Sequence, residues 1–397
     1  MSTPLTIEID LAFTTPAFLG DADQKAALRP QSFKGLLRFW YRALDGSLAE
    51  KKQRREDELW GGAGDDFGQS PILLRLITRK PPQIYQWRRE SFTRFTERAG
   101  KYDRNGLLYL GFPFTLRGNE QRNGLSPGTS CTFRVVIPRH NLLGEWQRKA
   151  VVATLWLFAV LGSCGSRSRR GFGSMQAMNW RIRHGSESWQ DVFNALPNPG
   201  TMSTPSAWDN GINTAFALFY GEGAEAWFPR FDNAAHPHLT HDFSPIILKG
   251  FPTWEEAMNH GGRKLQNFRQ CLEPDKSAVI KLLENPHHGT FAPGRTTFGL
   301  PLKFQFRSRK ELGSVTFYPQ RLHPLAKSSD RFASLLFLKI IRLGMSYHPV
   351  FFRLQGALPG FRAPLGCVLT NKKMALNLDD PQENILDHFL QSLGGAK

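Results

Sequence analysis

The sequence has few cysteines, no long apolar run and comparatively few acidic residues. Its four cysteines stand at positions 131, 164, 271 and 367 of a 397-residue chain, and no two of them form a C-x-x-C pair. This spacing excludes a zinc ribbon and argues against the disulfide framework of a secreted domain. No apolar run reaches the roughly 18–20 residues of a transmembrane helix, and the N-terminus lacks the basic and apolar regions of a signal peptide. We therefore predict a cytoplasmic protein with no membrane partner.

The shortage of acidic residues leaves a large positive surplus. There are 51 lysines and arginines against 34 aspartates and glutamates, which gives a formal net charge of +17. Hydrophobic residues make up 41% of the chain, so a packed core is available and general disorder is excluded. A surface of this charge suits a polyanion, and with the membrane set aside, nucleic acid is the expected class of partner.

The first half of the chain shows the periodicity of a mixed α+β fold. Residues 5–13 alternate apolar and polar, which predicts a strand with one buried face. The i, i+3, i+4 pattern from Phe33 to Leu44 predicts an amphipathic helix opened by Ser32 as N-cap. Strands over 72–78 and 131–137, an apolar helix over 150–161 and a strand over 175–183 follow. The order βαββαβ is that of the ferredoxin-like fold, which RNA-recognition modules share with the outer sheet face open.

The second half has weaker periodicity, and we predict a separate domain there. We expect an N-terminal ferredoxin-like domain over 1–190, a boundary or insertion region over 191–250, and a degenerate ferredoxin-like domain over 251–397. Within this last region we predict a helix over 254–271, a strand over 298–306, an apolar element over 331–343 and a helix over 384–393.

A stretch rich in glycine and arginine, GSRSRRGFGS, lies over residues 165–174. It has no lysine for a P-loop, and it follows a helix rather than the strand that a dinucleotide fingerprint requires. Arginine forks match phosphate oxygens, and glycines let a backbone approach a ligand closely. We predict a loop that grips an RNA backbone, the alternative being a solvated basic loop; its binding residues would be Gly165, Arg167, Arg169, Arg170, Gly171, Phe172 and Gly173.

The first predicted helix carries a second group of basic residues. Lys34, Arg38 and Arg42 are spaced by four and form one ridge, and Arg29 precedes them. Like charges four residues apart disfavour a helix by a few tenths of a kcal/mol, so the ridge needs a reason. We predict that these four residues also contact RNA, the alternative being an ordinary solvated helix face.

The residues carry a resemblance to a known family. The run RPQSFKGLLRFWYRAL at 29–44, the preceding TPAFLGDA at 15–22 and the glycine-rich stretch resemble the RAMP superfamily of CRISPR–Cas systems. More closely, they resemble the family that forms the first subunit of type III-B Cmr complexes. The resemblance implies two tandem ferredoxin-like domains in an RNA-binding subunit that is not the nuclease. It also implies contact with the 3′ part of a guide RNA or with target RNA, and with other RAMP subunits of the complex.

The principal alternative is a metal-independent endoribonuclease that uses a histidine as general acid or base. His236, His238 and His241 form one cluster, and His287 and His288 another; Asp65 and Asp66 could hold magnesium. None has the spacing of a known metal site or catalytic motif. We therefore predict no catalytic residue, no metal and no cofactor. A third interpretation is that the basic surface contacts acidic neighbouring subunits rather than RNA.

Overall fold

The structure of the protein is a computed structural model with fifteen described strands. It describes residues 3–21, 23, 25–45, 54–62, 68–99, 102–115, 123–221, 236–240, 242–286, 292–306, 308–319, 332–356, 365–369, 374–378 and 385–394. The strands are β1 (Leu5–Phe13), β2 (Leu73–Ile77), β3 (Ile84–Gln86), β4 (Glu97–Ala99), β5 (Tyr102–Arg104), β6 (Asn123–Leu125), β7 (Ser130–Ile137), β8 (Met175–Arg183), β9 (Ile246–Ile247), β10 (Leu302–Gln305), β11 (Ser314–Pro319), β12 (Leu336–Leu343), β13 (Ser346–Arg353), β14 (Leu365–Leu369) and β15 (Met374–Leu378).

The helices complete this mixed α+β architecture, and the sheets are antiparallel. The α-helices are α1 (Pro30–Leu44), α2 (Arg54–Trp60), α3 (Gly106–Leu110), α4 (Glu145–Leu161), α5 (Glu187–Asn194), α6 (Pro205–Tyr220), α7 (Trp254–Gln270), α8 (Asp275–Glu284) and α9 (Ile385–Gly394). In the part of the chain that the structure describes, no helix combines the length and apolar character needed to cross a membrane.

One four-stranded sheet organises the first half of the chain. Its strand order is β2-β7-β1-β8, with every neighbouring pair antiparallel, which is the order of a βαββαβ unit. The alternate residues Leu5, Ile7 and Ile9 of β1 are fully buried. Helices α1 and α4 cover this face, and the ring of Phe33 lies 5.6 Å from Phe133 and 5.9 Å from Phe158. The other face of β1 carries Thr6, Glu8 and Asp10.

Most predicted elements of this half are confirmed, and two helix starts are corrected. Strands over 5–13 and 175–183 have the predicted bounds. Helix α1, however, begins at Pro30, with Arg29 as N-cap and no side-chain cap, so the prediction of Ser32 as N-cap is wrong. Proline suits the first helical turn because the backbone N–H groups of that turn have no acceptor within the helix, so a residue without an N–H loses no hydrogen bond there. Helix α4 begins at Glu145, five residues before the apolar run predicted from position 150.

The chain divides into two compact units, each built from segments that are not contiguous in sequence. The first unit comprises Met1–Arg230, His238–Arg263 and Phe337–Phe352, so it takes in most of the β12–β13 hairpin. Side chains hold β12 there: Lys339 Nζ donates to the carbonyl of Gly162 at 2.6 Å, and Thr14 Oγ1 donates to the carbonyl of Ile340 at 2.6 Å. These contacts join residues far apart in sequence, so no local pattern reveals them.

The second unit comprises Phe231–Pro237, Lys264–Leu336 and Arg353–Lys397. Its described strands form a sheet of order β10-β11-β14-β15, and Val279 and Leu282 of α8 belong to the same buried cluster as Val315 and Phe317 of β11. The strand predicted over 298–306 is shorter, because Gly294–Phe298 forms a 3₁₀ turn and β10 starts after Pro301, which has no N–H to donate. A second, degenerate ferredoxin-like copy stays a prediction.

Candidate nucleic-acid interface

Residues 165–173, which we name the Gly-Arg loop, are fixed by backbone hydrogen bonds to residues 16–18. The Ser166 amide donates to the carbonyl of Phe18 at 3.0 Å, and the Gly173 amide donates to that of Pro16 at 2.8 Å. Gly173 has φ +61°, and a Cβ there would lie 1.8 Å from the Cys164 carbonyl oxygen. The sequence predicted that loop glycines let the backbone approach a ligand. At Gly173 the close approach is to the chain's own backbone.

Phe172 is a buried anchor of the Gly-Arg loop. Its side chain is 0% exposed, and its ring lies 5.2 Å from that of Phe114, 5.4 Å from Trp87 and 5.7 Å from Phe18. A ring packed in this way has no face for a nucleotide base. The prediction that Phe172 contacts RNA is therefore corrected: it ties the loop to the core.

Arg169 connects the Gly-Arg loop to α1 and to β12. Its guanidinium lies 5.5 Å from the ring centre of Phe39 on α1 and 4.7 Å from that of Phe337 on β12. Its carbonyl accepts a hydrogen bond from the Leu338 amide at 3.1 Å. Burial lowers the pKa of Arg169 to about 10, so the group stays charged at neutral pH. The predicted loop and the predicted helix are thus neighbours, and Arg169 is held between aromatic rings.

The remaining loop arginines, Arg167 and Arg170, lie at the partly exposed edge of the Gly-Arg loop. Arg167 has φ +62°, and its carbonyl accepts from the Arg170 amide at 2.8 Å, which closes a tight turn. Residues 165–170 are all partly exposed, whereas residues 171–174 are buried. The loop therefore has a rigid base and an arginine-bearing outer edge.

The arginine ridge of α1 is neutralised by the chain itself. Arg38 Nε donates to Glu56 Oε1 at 2.5 Å and Arg42 Nε donates to Glu56 Oε2 at 2.7 Å, while Arg38 Nη2 donates to Asp57 at 3.1 Å. The Glu56 side chain is 0% exposed. Arg38 and Arg42 are therefore the counterions of a buried carboxylate on α2, which explains why like charges recur along the helix. Their predicted contact with RNA stays a prediction.

The N-terminal end of α1 keeps two basic groups outside this network. Arg29 and Lys34 are partly exposed, and neither has an ion pair with any residue that the structure describes. Between them and Phe39 lies Gly35, which is exposed, and no atom of a described residue lies within 4 Å of the place a Cβ would take. This surface of α1, beside the Gly-Arg loop, is open.

Replacing Gly35 with alanine is expected to raise the free energy of unfolding by about 0.5–1 kcal/mol. Alanine has the higher helix propensity, and the open space at Gly35 leaves nothing for its methyl group to displace. Urea unfolding followed by circular dichroism measures the change. Gly106→Ala on α3 is the control and should destabilise, because its Cβ would lie 2.1 Å from the Asn259 carbonyl oxygen. A loss of stability in Gly35→Ala would contradict the open surface.

The outer face of the first sheet carries a basic surface that the sequence reasoning missed. A cavity of 490 Å³ lies on it, and we name it the sheet-face basin. Its charged and ionisable lining consists of Glu8, Arg79, Arg134, Arg181, Arg183 and His184. The sequence did contain a signal for this surface. Arg181 and Arg183 alternate with apolar residues, as Glu8 and Asp10 do in β1, and this alternation places all four side chains on the polar face of a sheet.

Glu8 is the centre of the sheet-face basin, although it lies on the solvent side of the sheet. It stands opposite Arg134 on β7 and Arg181 on β8 in the strand register. Arg134 Nε donates to Glu8 Oε1 at 2.7 Å, and Arg181 Nε donates to Glu8 Oε2 at 2.6 Å. Burial alone would raise the pKa of the Glu8 carboxyl, but the hydrogen bonds from Arg181 and Arg134 outweigh it and hold the pKa below its usual value.

Asp10 provides the second carboxylate near the basin. Arg181 Nη1 donates to Asp10 Oδ2 at 2.5 Å, and Thr132 Oγ1 donates to Asp10 Oδ1 at 2.6 Å. The hydrogen bond from Arg181 is the main reason that the pKa of the Asp10 carboxyl is lowered. Arg181 is therefore held by two carboxylates at once.

The candidate catalytic histidines show no shared site. His238 is only 3% exposed, and His236 Nδ1 lies 2.7 Å from the Pro237 carbonyl oxygen. His241, His287 and His288, like Asp65 and Asp66, lie outside the described residues. Among the residues that are described, no group of three or more histidine, cysteine or acidic side chains is placed to hold a metal ion.

Comparison with known proteins agrees with the sequence motifs. Residues 10–176, which include α1 and the Gly-Arg loop, match the model of the RAMP superfamily. This match covers 167 of the 397 residues, which is less than half of the chain. The chain is also similar to CRISPR system Cmr subunit Cmr1-1 of Pyrococcus furiosus, with 29% identity over 171 residues. That match covers 42% of this chain and 44% of the relative, so it spans less than half the length of either protein.

Solved structures resemble this chain over almost its whole length. The crystal structure of Cmr1 from Pyrococcus furiosus in its apo form has a TM-score of 0.57 and 18% identity, and the match covers 98% of this chain and 96% of that one. A chain in the cryo-EM structure of the type III-B Cmr-beta complex bound to cognate target RNA has a TM-score of 0.55 and 13% identity, with 99% of each chain covered. These similarities show a shared fold.

Proposed function

We propose that the chain is a non-catalytic RNA-binding subunit of a type III-B Cmr effector complex. Its partners are a guide RNA, the target RNA paired with it and other RAMP subunits. The net charge of +17, the family match over residues 10–176 and the fold shared with a chain of a target-RNA-bound complex support the proposal. The contact falls on the 3′ part of the guide or on the target strand, as in the sequence-based prediction.

The observation that carries this proposal is the construction of the Gly-Arg loop beside α1. The loop base is immobilised by Phe172 and by hydrogen bonds to residues 16–18, whereas its outer edge carries Arg167 and Arg170. Rigid arginine forks bind phosphate well because little freedom is lost on binding. Arg29 and Lys34 at the start of α1 add positive charge on the neighbouring helix; Gly165, Gly171 and Gly173 shape the loop.

Replacing Arg167 and Arg170 together with glutamine is expected to weaken binding of single-stranded RNA by about tenfold or more at about 100 mM salt. Arg169 is left in place because it holds the loop to α1. Each lost phosphate contact removes about 0.7 from the slope of log affinity against log salt, so two contacts remove about 1.4. Fluorescence anisotropy with the full chain and a labelled RNA of about 20 nucleotides, long enough to engage several phosphate contacts, measures both quantities.

The matched control is Lys276→Gln with Lys281→Gln, which removes the same charge from two exposed positions on α8. Equal RNA affinity in the loop variant and this control would contradict the proposal. Discrete RNA products formed in the presence of a chelator would instead favour the endoribonuclease alternative. Crosslinking in the assembled complex separates RNA contact from contact with an acidic neighbouring subunit.

A further inference from the structure

The sheet-face basin has a positive surplus that its own carboxylates do not cancel. Four guanidinium groups line or border it, from Arg79, Arg134, Arg181 and Arg183, and they face the two carboxylates of Glu8 and Asp10. Two positive charges are therefore left over. The surplus lies in a concave surface, where the field of like charges is focused and attracts anions more strongly than a flat face does.

The basin arginines divide into two kinds. Arg181 is used up internally, because its guanidinium donates to Glu8 and to both oxygens of Asp10. Arg183, in contrast, is 61% exposed, and its Nε lies 3.6 Å from Glu8 Oε2, beyond hydrogen-bonding distance. Arg79 is exposed and has no ion pair among the residues that the structure describes. Arg79 and Arg183 thus have N–H groups that can donate hydrogen bonds to a ligand. Arg181 and Glu8 instead bind each other and form the fixed floor of the basin.

The lining also indicates which chemical group the basin accepts. Beside the charged and ionisable groups it consists of Thr6, Thr132 and Ile77. The described lining therefore contains no phenylalanine, tyrosine or tryptophan ring, and its one ring on which a base could stack is the imidazole of His184. Protein–protein interfaces have aromatic or apolar residues at their centre, and this basin has only Ile77. A volume of 490 Å³ lined by arginine forks and hydroxyls fits a phosphate with its sugar.

We propose that the sheet-face basin binds the sugar–phosphate backbone of an RNA strand through Arg79 and Arg183, as a site separate from the Gly-Arg loop. This inference rests on the proposed function, because RNA is the polyanion in question. Arg134 and Arg181, fixed by Glu8, are positioning residues. Recognition runs through phosphate rather than bases, so the contribution of this site is independent of RNA sequence.

Arg79→Gln with Arg183→Gln in the full chain tests the proposal. Both side chains are exposed, so thermal unfolding should stay at the wild-type temperature. Affinity for a labelled oligouridine and a labelled oligoadenine of about 20 nucleotides should fall by about 5- to 20-fold, equally for both, and the salt slope should fall by about 1.4. Arg79→Gln alone should give an intermediate loss.

Three outcomes contradict this proposal, and they can be told apart. If wild-type protein binds neither RNA, the proposed function fails as well. If the Gly-Arg loop variant loses affinity while Arg79→Gln with Arg183→Gln matches Lys276→Gln with Lys281→Gln, only the sheet-face site is wrong. If the sheet-face variant retains RNA affinity but loses a neighbouring subunit in copurification, the basin binds acidic protein instead.

Discussion

Replacing Arg38 and Arg42 together with glutamine is expected to lower the free energy of unfolding by about 3–5 kcal/mol. The Glu56 carboxylate between them is 0% exposed and accepts hydrogen bonds from both guanidinium groups. Removing both partners leaves a buried charge without compensation, and a buried carboxylate in that state is among the most destabilising features a protein can have. Chemical denaturation followed by tryptophan fluorescence measures the loss.

The control for this variant lies on the same helix. Arg29→Gln with Lys34→Gln removes the same charge where no ion pair is described, so stability should change by at most about 0.5 kcal/mol. The two variants should also separate in RNA binding, since only Arg29 and Lys34 belong to the proposed contact surface. Equal stability in both variants would show that the Glu56 network contributes little and that the arginine ridge is an ordinary solvated face.

Replacing Glu8 with glutamine is expected to lower the free energy of unfolding by about 2–4 kcal/mol at neutral pH. Glutamine keeps the shape of the side chain but loses the charge that holds Arg134 and Arg181 on the sheet, and hydrogen bonds to charged groups are the strong ones. The three nearby arginines, Arg134, Arg181 and Arg183, would then repel one another, and among the described residues only the Asp10 carboxylate would remain to offset them. Urea unfolding at several pH values measures this effect.

The pH dependence of this difference has a definite sign. The pKa of the Glu8 carboxyl is lower in the folded protein than in the unfolded chain, so its stabilising contribution is fully present above the unfolded value of about 4.3. The contribution is lost as the pH falls through the folded pKa. The difference in unfolding free energy between wild type and Glu8→Gln should therefore shrink as the pH is lowered into the acid range. For Asp10→Asn the same difference should begin to shrink at a lower pH, near the unfolded aspartate pKa of about 3.9. A gap independent of pH would contradict the role of the charge.

Periodicity predicted the first half of the fold well because β1, α1, α4 and β8 each bury one face or all of their surface. Alternation in Leu5, Ile7 and Ile9 and the i, i+3, i+4 pattern of α1 are local consequences of that burial. The second half was predicted less well. The two compact units are made of interleaved stretches of the chain. Most of the β12–β13 hairpin therefore belongs to the first unit, where the hydrogen bond from Lys339 to the Gly162 carbonyl helps to hold it.

The candidate site was predicted only in part. The Gly-Arg loop and α1 were identified from residue types, and the contact of Arg169 with Phe39 confirms that they are neighbours. The sequence did not separate surface arginines from structural ones. Arg38 finds its counterion 18 residues away on another helix, and Arg181 finds Glu8 across 173 residues.

Composition and periodicity by themselves determined the positive surplus, the α+β class and the helix and strand faces, since each depends on residue type and local spacing. The RAMP resemblance came from the sequence motifs at 15–22, 29–44 and 165–174. Only the tertiary structure decided which positive charges are cancelled and which remain available to an anion. Coulombic attraction depends on distance in space, and the fold brings Glu56 and Glu8 to arginines that no local spacing connects to them.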